Sequence, residues 1–181
     1  MNQAMNSNKF TRIFKHLWLD AADTKRVIAP AMLQRLAQQV ADSESRHSGQ
    51  IRICVEASLP MSYLWRQGSA NTISQLIRQR ALMLFGKLRI WDTENNNGVL
   101  VYLLLAEKAI EIVADRGLSR HVPPQDWQAM TQRMQAAFHE GHFEAGLTQA
   151  LDEVSMLLLT HFPVTADGRY TNELPNEPFL Q

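Results

Sequence analysis

The stretch Val99-Leu100-Val101-Tyr102-Leu103-Leu104-Leu105 constrains this chain most. It is apolar throughout, so both faces of the strand it forms need cover, and it reads as the central strand of a layered sheet. Directly before it runs Trp91-Asp92-Thr93-Glu94-Asn95-Asn96-Asn97-Gly98, a loop rich in side-chain oxygens. A loop that empties into a buried strand sits at a fixed sheet edge, where an ion or a polar ligand can be held.

The flanking segments supply the partners of that strand. Ala106-Glu107-Lys108 is a tight connection, and Ala109 to Ala114 sets Ile110, Ile112 and Ala114 against Glu111 and Val113. A connection this short makes the pair an antiparallel hairpin. Upstream, Gln50 to Ala57 alternates Ile51, Ile53 and Val55 with Arg52, Cys54 and Glu56, a strand with one partly polar face. It reaches the central strand through a helix carrying Ile73, Leu76, Ile77, Ala81, Leu84 and Phe85, which implies a parallel, right-handed crossover. Thr72 and Gln75 have the spacing of a capping box at the start of that helix, and Gly86 is placed to end it.

Pro30 suits the first turn of an earlier helix bearing Leu33, Leu36, Ala37 and Val40. Two helices close the domain: one from Pro124 with Trp127, Met130, Met134 and Phe138 on one face, one from Phe143 to His161 with Leu147, Leu151, Val154 and Leu158 inward. The methionines read as core filler. The order α-α-β-α-β-β-α-α predicts an α/β fold, a small mixed sheet with helices on both faces. The expected divisions are an N-terminal helical segment over 1–46, an α/β domain over 47–163, and an extended C-terminal tail over 164–181, docked by Phe179 and Leu180.

At 181 residues the chain is long enough for one domain with a sizeable core. Its 18 basic and 18 acidic side chains balance, which argues against strong attraction to nucleic acid or to anionic membranes. The single cysteine, Cys54, lies in an apolar run and reads as a small buried residue. No apolar stretch reaches the roughly 20 residues of a transmembrane segment, and Met1 to Lys9 lacks signal-peptide features. A soluble, cytoplasmic protein is expected.

Phe10 to Leu19 has the pattern of a short amphipathic helix, with Phe10, Ile13, Phe14, Leu17 and Trp18 on one side and Lys9, Arg12, Lys15 and His16 around it. It reads either as a basic helix for a membrane surface or a protein partner, or as a helix folded onto its own domain. The second is favoured, because short helices gain stability from packing.

The topology brings particular residues to one edge. The central strand starts at Gly98, the antiparallel strand ends at Asp115-Arg116-Gly117, and the parallel strand starts at His47-Ser48-Gly49. Asp92, Glu94, Asn97 and Asp115 are therefore expected to converge, with Asp126 nearby at a helix start. Carboxylate and amide oxygens are the ligands of hard cations such as Ca²⁺ or Mg²⁺. Arg116 is suited to a phosphate or to a carboxylate. Two facts weigh on the other side: Asp and Asn crowd ordinary turns, and open parallel sheets more often bind ligands at the C-terminal strand edges. The loop is not an EF-hand, whose sixth and twelfth positions would fall on Asn97 and Leu103. His139-Glu140-Gly141-His142 has the wrong spacing for a zinc helix, with Gly141 placed to break it. There is no glycine-rich phosphate loop and no nucleophile elbow. His121 reads as a helix-entry residue, and Trp18, Trp65, Trp91 and Trp127 as packing anchors.

From about His47 to Pro163 the chain resembles the TPM domain, named for a chloroplast thylakoid-lumen phosphatase, a photosystem II repair protein and a worm receptor modulator. The matching features are the first strand, the helix ending in Phe85, and the acidic loop into Asn97-Gly98-Val99-Leu100. Glu111-Ile112-Val113-Ala114-Asp115-Arg116-Gly117 and the segment Phe138 to Gly146 match as well. Trp91 to Leu100 and the Asn172-Glu173-Leu174-Pro175 tail are similar to a compact bacterial subgroup without signal peptide or membrane anchor.

The resemblance implies a Rossmann-like α/β/α sandwich, divalent-cation binding and an acid-phosphatase activity. By position, Asn97 corresponds to the family's loop asparagine and Asp92 or Glu94 to its loop acid, and Asp126 is an approximate match to an acid after the turn. Asp115-Arg116-Gly117 replaces a turn that often lacks these charges. Two functions follow. One is a metal-dependent phosphatase whose loop acids hold the cation while Arg116 stabilises charge on a phosphorylated substrate; the sequence offers it no clear nucleophile or general base. The other is a non-catalytic interaction or assembly module, working through a protein partner of the Phe10–Leu19 helix or beside membrane-associated partners. A shared fold does not choose between them.

Overall fold

The computed structural model describes residues 12, 14, 16–18, 24, 26–68, 71–164 and 171–181. Its elements are α1 (Pro30–Glu44), β1 (Gln50–Glu56), α2 (Met61–Leu64), α3 (Ile73–Lys87) and β2 (Gly98–Leu104). A 3₁₀ turn (Leu105–Glu107) leads to β3 (Ala109–Ala114), α4 (Arg116–Ser119), α5 (Pro124–His139), α6 (Phe143–His161) and β4 (Phe179–Leu180). The sheet order is β3-β2-β1-β4. β1 lies parallel to β2, with Gln50 opposite Gly98, and β2 lies antiparallel to β3, with Val99 opposite Ala114.

Every residue of β2 is buried, and its period of two divides the molecule into two cores. Val99, Val101 and Leu103 join Ile51, Ile53 and Val55 against α1, α5 and α6 through Leu36, Val40, Met134, Phe138, Leu151 and Val154. Leu100, Tyr102 and Leu104 join Cys54 against α3 through Leu76, Ile77, Ala81 and Leu84. Helices thus cover both faces of a mixed sheet, as the apolar run requires. The capping box of α3 is present: Thr72 Oγ1 accepts from the Gln75 amide at 3.3 Å, and Gln75 Oε1 accepts from the Thr72 amide at 2.8 Å. Met130 and Met134 are core residues.

Some expectations change, while the docked tail and the break at Gly141 hold. β1 is less polar toward solvent than its sequence suggests: Gln50, Cys54 and Glu56 are buried, and within the strand Arg52 alone is partly exposed. Glu56 tolerates burial because Arg80 and the Tyr102 hydroxyl pair with it. Burial pushes the Cys54 thiol up to about 12, so it is an inert core group. α3 runs through Gly86 to Lys87, and the chain turns only at Arg89, in the left-handed region at φ 55°. The end of the tail forms β4: Phe179 and Leu180 pair with Cys54 and Val55. Gly141, at φ 85°, separates α5 from α6.

Of the N-terminal helix, Arg12, Phe14, His16, Leu17 and Trp18 are helical, while Phe10, Ile13, Lys9, Lys15 and Leu19 lie outside the described residues. The described part folds onto the domain by its polar side, not its apolar one. His16 is buried, its Nδ1 accepts from the Leu59 amide at 3.0 Å, and its Nε2 meets Glu107 Oε1 at 3.0 Å. Trp18, Trp65 and Trp91 are exposed, and only Trp127 packs against a core. The expectation of four packing anchors therefore holds for Trp127 and gives way to solvent-facing rings at the other three.

Candidate functional site

The 92–97 loop is shaped by its own side chains. Thr93 Oγ1 accepts from the Asn97 amide at 3.1 Å, and the Thr93 carbonyl accepts from the Asn96 amide at 3.1 Å. Asn96 takes φ 50°, a conformation asparagine tolerates better than most residues. Thr93 and Asn97 are buried while Asp92, Glu94 and Asn95 are exposed.

The sheet brings two further segments to the loop. The Asp115 amide donates to the Gly98 carbonyl at 2.9 Å, one step beyond the β2–β3 register, and the Gly117 amide donates to the Asn96 carbonyl at 2.8 Å. A Cβ on Gly117 would overlap the carbonyl oxygens of Asn95 and Asn96, so this approach needs glycine. From the start of β1, Ser48 Oγ accepts from Asn97 Nδ2 at 3.2 Å. Asn97, Asp115 and Ser48 therefore meet at one sheet edge.

Two atoms there lack hydrogen-bond partners. Asn97 Oδ1 and Asp115 Oδ2 are buried side-chain oxygens left without a donor. Such groups are rare, because each forfeits hydration worth about 1–3 kcal/mol. Asp115 Oδ1, by contrast, accepts from the Arg116 amide at 2.6 Å.

The other residues singled out by sequence are placed differently. Asp92 Oδ2 pairs with Arg89 Nη2 at 2.5 Å on the exposed side of the loop. The Glu94 amide donates to Glu173 Oε2 at 3.0 Å, so the tail steadies the loop. Arg116 donates from Nε and Nη2 to Asn96 Oδ1 at 2.9 and 2.7 Å. Asp126 lines a groove of about 400 Å³ between α5 and α6, with Arg133, Asp152 and Glu153. No three His, Cys, Asp or Glu side chains among the described residues cluster closely enough to hold a metal ion. The oxygens at this edge belong to amides and main chain as much as to carboxylates.

Sequence reasoning placed the segments of Ser48, Thr93 and Gly117 at this edge without giving these residues a part in it, and it missed Glu173. Ser48 and Gly117 lay within turns already placed there. Glu173 acts across 79 positions in the chain and carried no local signal.

Beneath the start of β1 lies a second polar cluster. His47 Nδ1 donates to the Gly49 carbonyl at 3.2 Å, which leaves Nε2 to accept the Ser43 hydroxyl at 2.8 Å, and Ser155 closes onto Ser43 Oγ. Burial, the largest influence, pulls the His47 pKa down to about 4. The ring is neutral at pH 7 and ties α1 to α6 and to β1.

A family profile described as TPM domain matches residues 21–157. Among solved structures, the BA42 protein of the psychrophilic bacterium Bizionia argentinensis is similar at 26% identity and TM-score 0.67, over 82% of this chain and 92% of that one. The N-terminal domain of a protein from P. gingivalis is similar at 18% identity and TM-score 0.58, over 75% of this chain and 81% of that one, a likeness of fold alone. No curated protein matches the chain.

Proposed function

This chain belongs to the TPM domain family, and from that premise we propose that the sheet edge at Asn97 and Asp115 binds a divalent cation, Ca²⁺ or Mg²⁺, and supports phosphatase activity on a phosphorylated substrate. One observation carries the reading: Asn97 Oδ1 and Asp115 Oδ2 are buried oxygens without a donor. The Asp115–Gly98 backbone bond keeps them at the same edge. A hard cation satisfies such oxygens where no protein donor does.

Asp92 and Glu94 are the remaining ligands in this proposal. Asp92 is available at small cost, since an exposed ion pair like that with Arg89 contributes at most about 1 kcal/mol. Asp126, in the α5–α6 groove, is not part of the set. With few carboxylates gathered, the affinity belongs to the weak class, roughly 10⁻⁴–10⁻³ M for Ca²⁺. When bound, the ion supplies Lewis-acid polarisation of a phosphoryl oxygen. Arg116, steered toward the loop by Asn96 and still exposed, takes the phosphate charge. A cytoplasmic location accords with the single, buried Cys54.

The test is calorimetric titration of Ca²⁺ and of Mg²⁺ into chelator-stripped protein, with Asn97→Ala and Asp115→Ala beside it. Saturable binding that both variants lose supports the site, and no heat at millimolar concentrations of either ion sinks it. Cation-dependent hydrolysis of para-nitrophenyl phosphate that disappears in Asp115→Ala supports the phosphatase. Binding without turnover leaves the non-catalytic module, which the outward apolar face of the N-terminal helix favours.

A further inference from the structure

Phe14, Leu17 and Trp18 stand 65%, 59% and 79% exposed on one helical stretch. Their i, i+3, i+4 spacing puts them on one face. The opposite side holds the helix to the protein: His16 bonds Glu107 and the Leu59 amide, and Arg12 Nε reaches Glu107 Oε1 at 3.0 Å. A helix that folds for its own stability buries the apolar stripe and exposes the charges. Here polar groups fasten the helix while Phe14, Leu17 and Trp18 are presented outward. A contiguous exposed patch of this kind marks a surface that something covers.

Charge selects the occupant. The chain as a whole balances 18 acidic against 18 basic side chains, yet its first nineteen residues contain Lys9, Arg12 and Lys15 and no Asp or Glu. Arg12 is engaged with Glu107, so the selecting charge is that of Lys9 and Lys15, and lysines interspersed in sequence with Phe, Leu and Trp form the pattern of a helix lying in the headgroup region of an anionic bilayer. Among the described residues no helix is long and apolar enough to cross a membrane, so the contact is with the surface. We infer that Phe14, Leu17 and Trp18 dock this protein onto an anionic lipid bilayer.

The orientation follows from the anchoring contacts. Leu59 follows the end of β1 and Glu107 the end of β2, so the docking helix sits at the C-terminal edge of the parallel pair. The Asn97–Asp115 edge lies at the other end of these seven-residue strands, roughly 23 Å away at about 3.3 Å per residue. A docked molecule therefore turns its cation edge toward solvent, and the two proposals stand or fall separately.

The experiment is co-sedimentation of the full chain with vesicles of phosphatidylcholine alone and of phosphatidylcholine with phosphatidylglycerol. Binding is expected only to the anionic vesicles, with a blue shift in tryptophan emission that Trp18→Phe reduces. Phe14→Ser/Leu17→Ser is expected to weaken binding by about tenfold per side chain. Lys9→Gln/Lys15→Gln is expected to weaken it by about fivefold per charge. Phe14→Ser/Leu17→Ser should melt as the parent does, because neither Phe14 nor Leu17 is buried. Asp115→Ala should bind vesicles normally. Failure to sediment with anionic vesicles, equal binding to neutral ones, or undiminished binding by Phe14→Ser/Leu17→Ser overturns the proposal. Concentration-dependent dimerisation that Phe14→Ser/Leu17→Ser abolishes also overturns it, by giving the face to a second copy.

Discussion

Arg80 on α3 grips Glu56 on β1 at two points, Nε to Oε2 at 2.9 Å and Nη2 to Oε1 at 2.5 Å, with both side chains almost wholly buried. The Tyr102 hydroxyl donates to Glu56 Oε2 at 2.7 Å, so β1, β2 and α3 meet at one carboxylate. Removing one partner strands a buried charge, whereas exchanging both for apolar groups of similar volume removes the desolvation cost as well. Arg80→Leu is expected to destabilise the fold by about 3–5 kcal/mol in urea unfolding. Arg80→Met/Glu56→Leu should recover much of that loss. A single variant within about 0.5 kcal/mol of the parent would show that the pair does not hold the sheet to α3.

His47 makes stability depend on pH. Its folded pKa, about 4, lies below its ordinary 6.5, so between these values the unfolded chain binds the extra proton. Stability is then full above about pH 6.5 and falls as the pH drops toward 4, by roughly 3 kcal/mol for a shift of this size. Protonated Nε2 also loses its role as acceptor of the Ser43 hydroxyl. Denaturation midpoints from pH 7 to 4 should decline in the parent and decline less in His47→Gln. Parallel curves for the two proteins would remove His47 as the cause.

The cation edge has a thermal signature separate from calorimetry. At free Ca²⁺ ten to a hundred times a weak dissociation constant, the folded state gains about 1.4–2.7 kcal/mol. Chelator-stripped protein should melt at a lower temperature than Ca²⁺- or Mg²⁺-loaded protein, and Asp115→Ala should show no such difference. Identical melting with and without both ions counts against the site.

Gly117 tests the close approach that shapes the edge. A Cβ there must displace the Asn95 and Asn96 carbonyl oxygens, which belong to backbone and cannot swing aside. Gly117→Ala is expected to cost about 1–3 kcal/mol and to weaken cation binding together with stability. A neutral outcome in both measurements would mean that the loop moves without penalty.

The tail is fastened by few groups. Arg52 Nη1 donates to the Pro175 and Glu177 carbonyls, and Gln50 Oε1 accepts from the Glu173 and Leu174 amides. Arg52→Ala should leave the core melting cooperatively while speeding hydrogen exchange at Gln181, whose amide donates to Val55. Unchanged exchange at Gln181 would show that β4 holds without Arg52.

Local pattern alone determined much of this protein. The run Val99 to Leu105 dictated a central strand, Ile110, Ile112 and Ala114 its antiparallel partner, and Thr72 with Gln75 the start of α3, because burial on two faces, short connections and capping are set by neighbours in sequence. Asn97 and Asp115 were placed at one edge by the same counting, since strand direction alone brings those ends together. Only the tertiary structure decided which oxygens are left without donors, that Glu173 steadies the loop from the far end of the chain, and that Glu56 is buried with Arg80. It also decided that Phe14, Leu17 and Trp18 face outward. Amphipathic spacing shows that a helix has two faces, but which one meets the protein depends on partners such as Glu107 and the Leu59 amide, far away in sequence and adjacent only after folding.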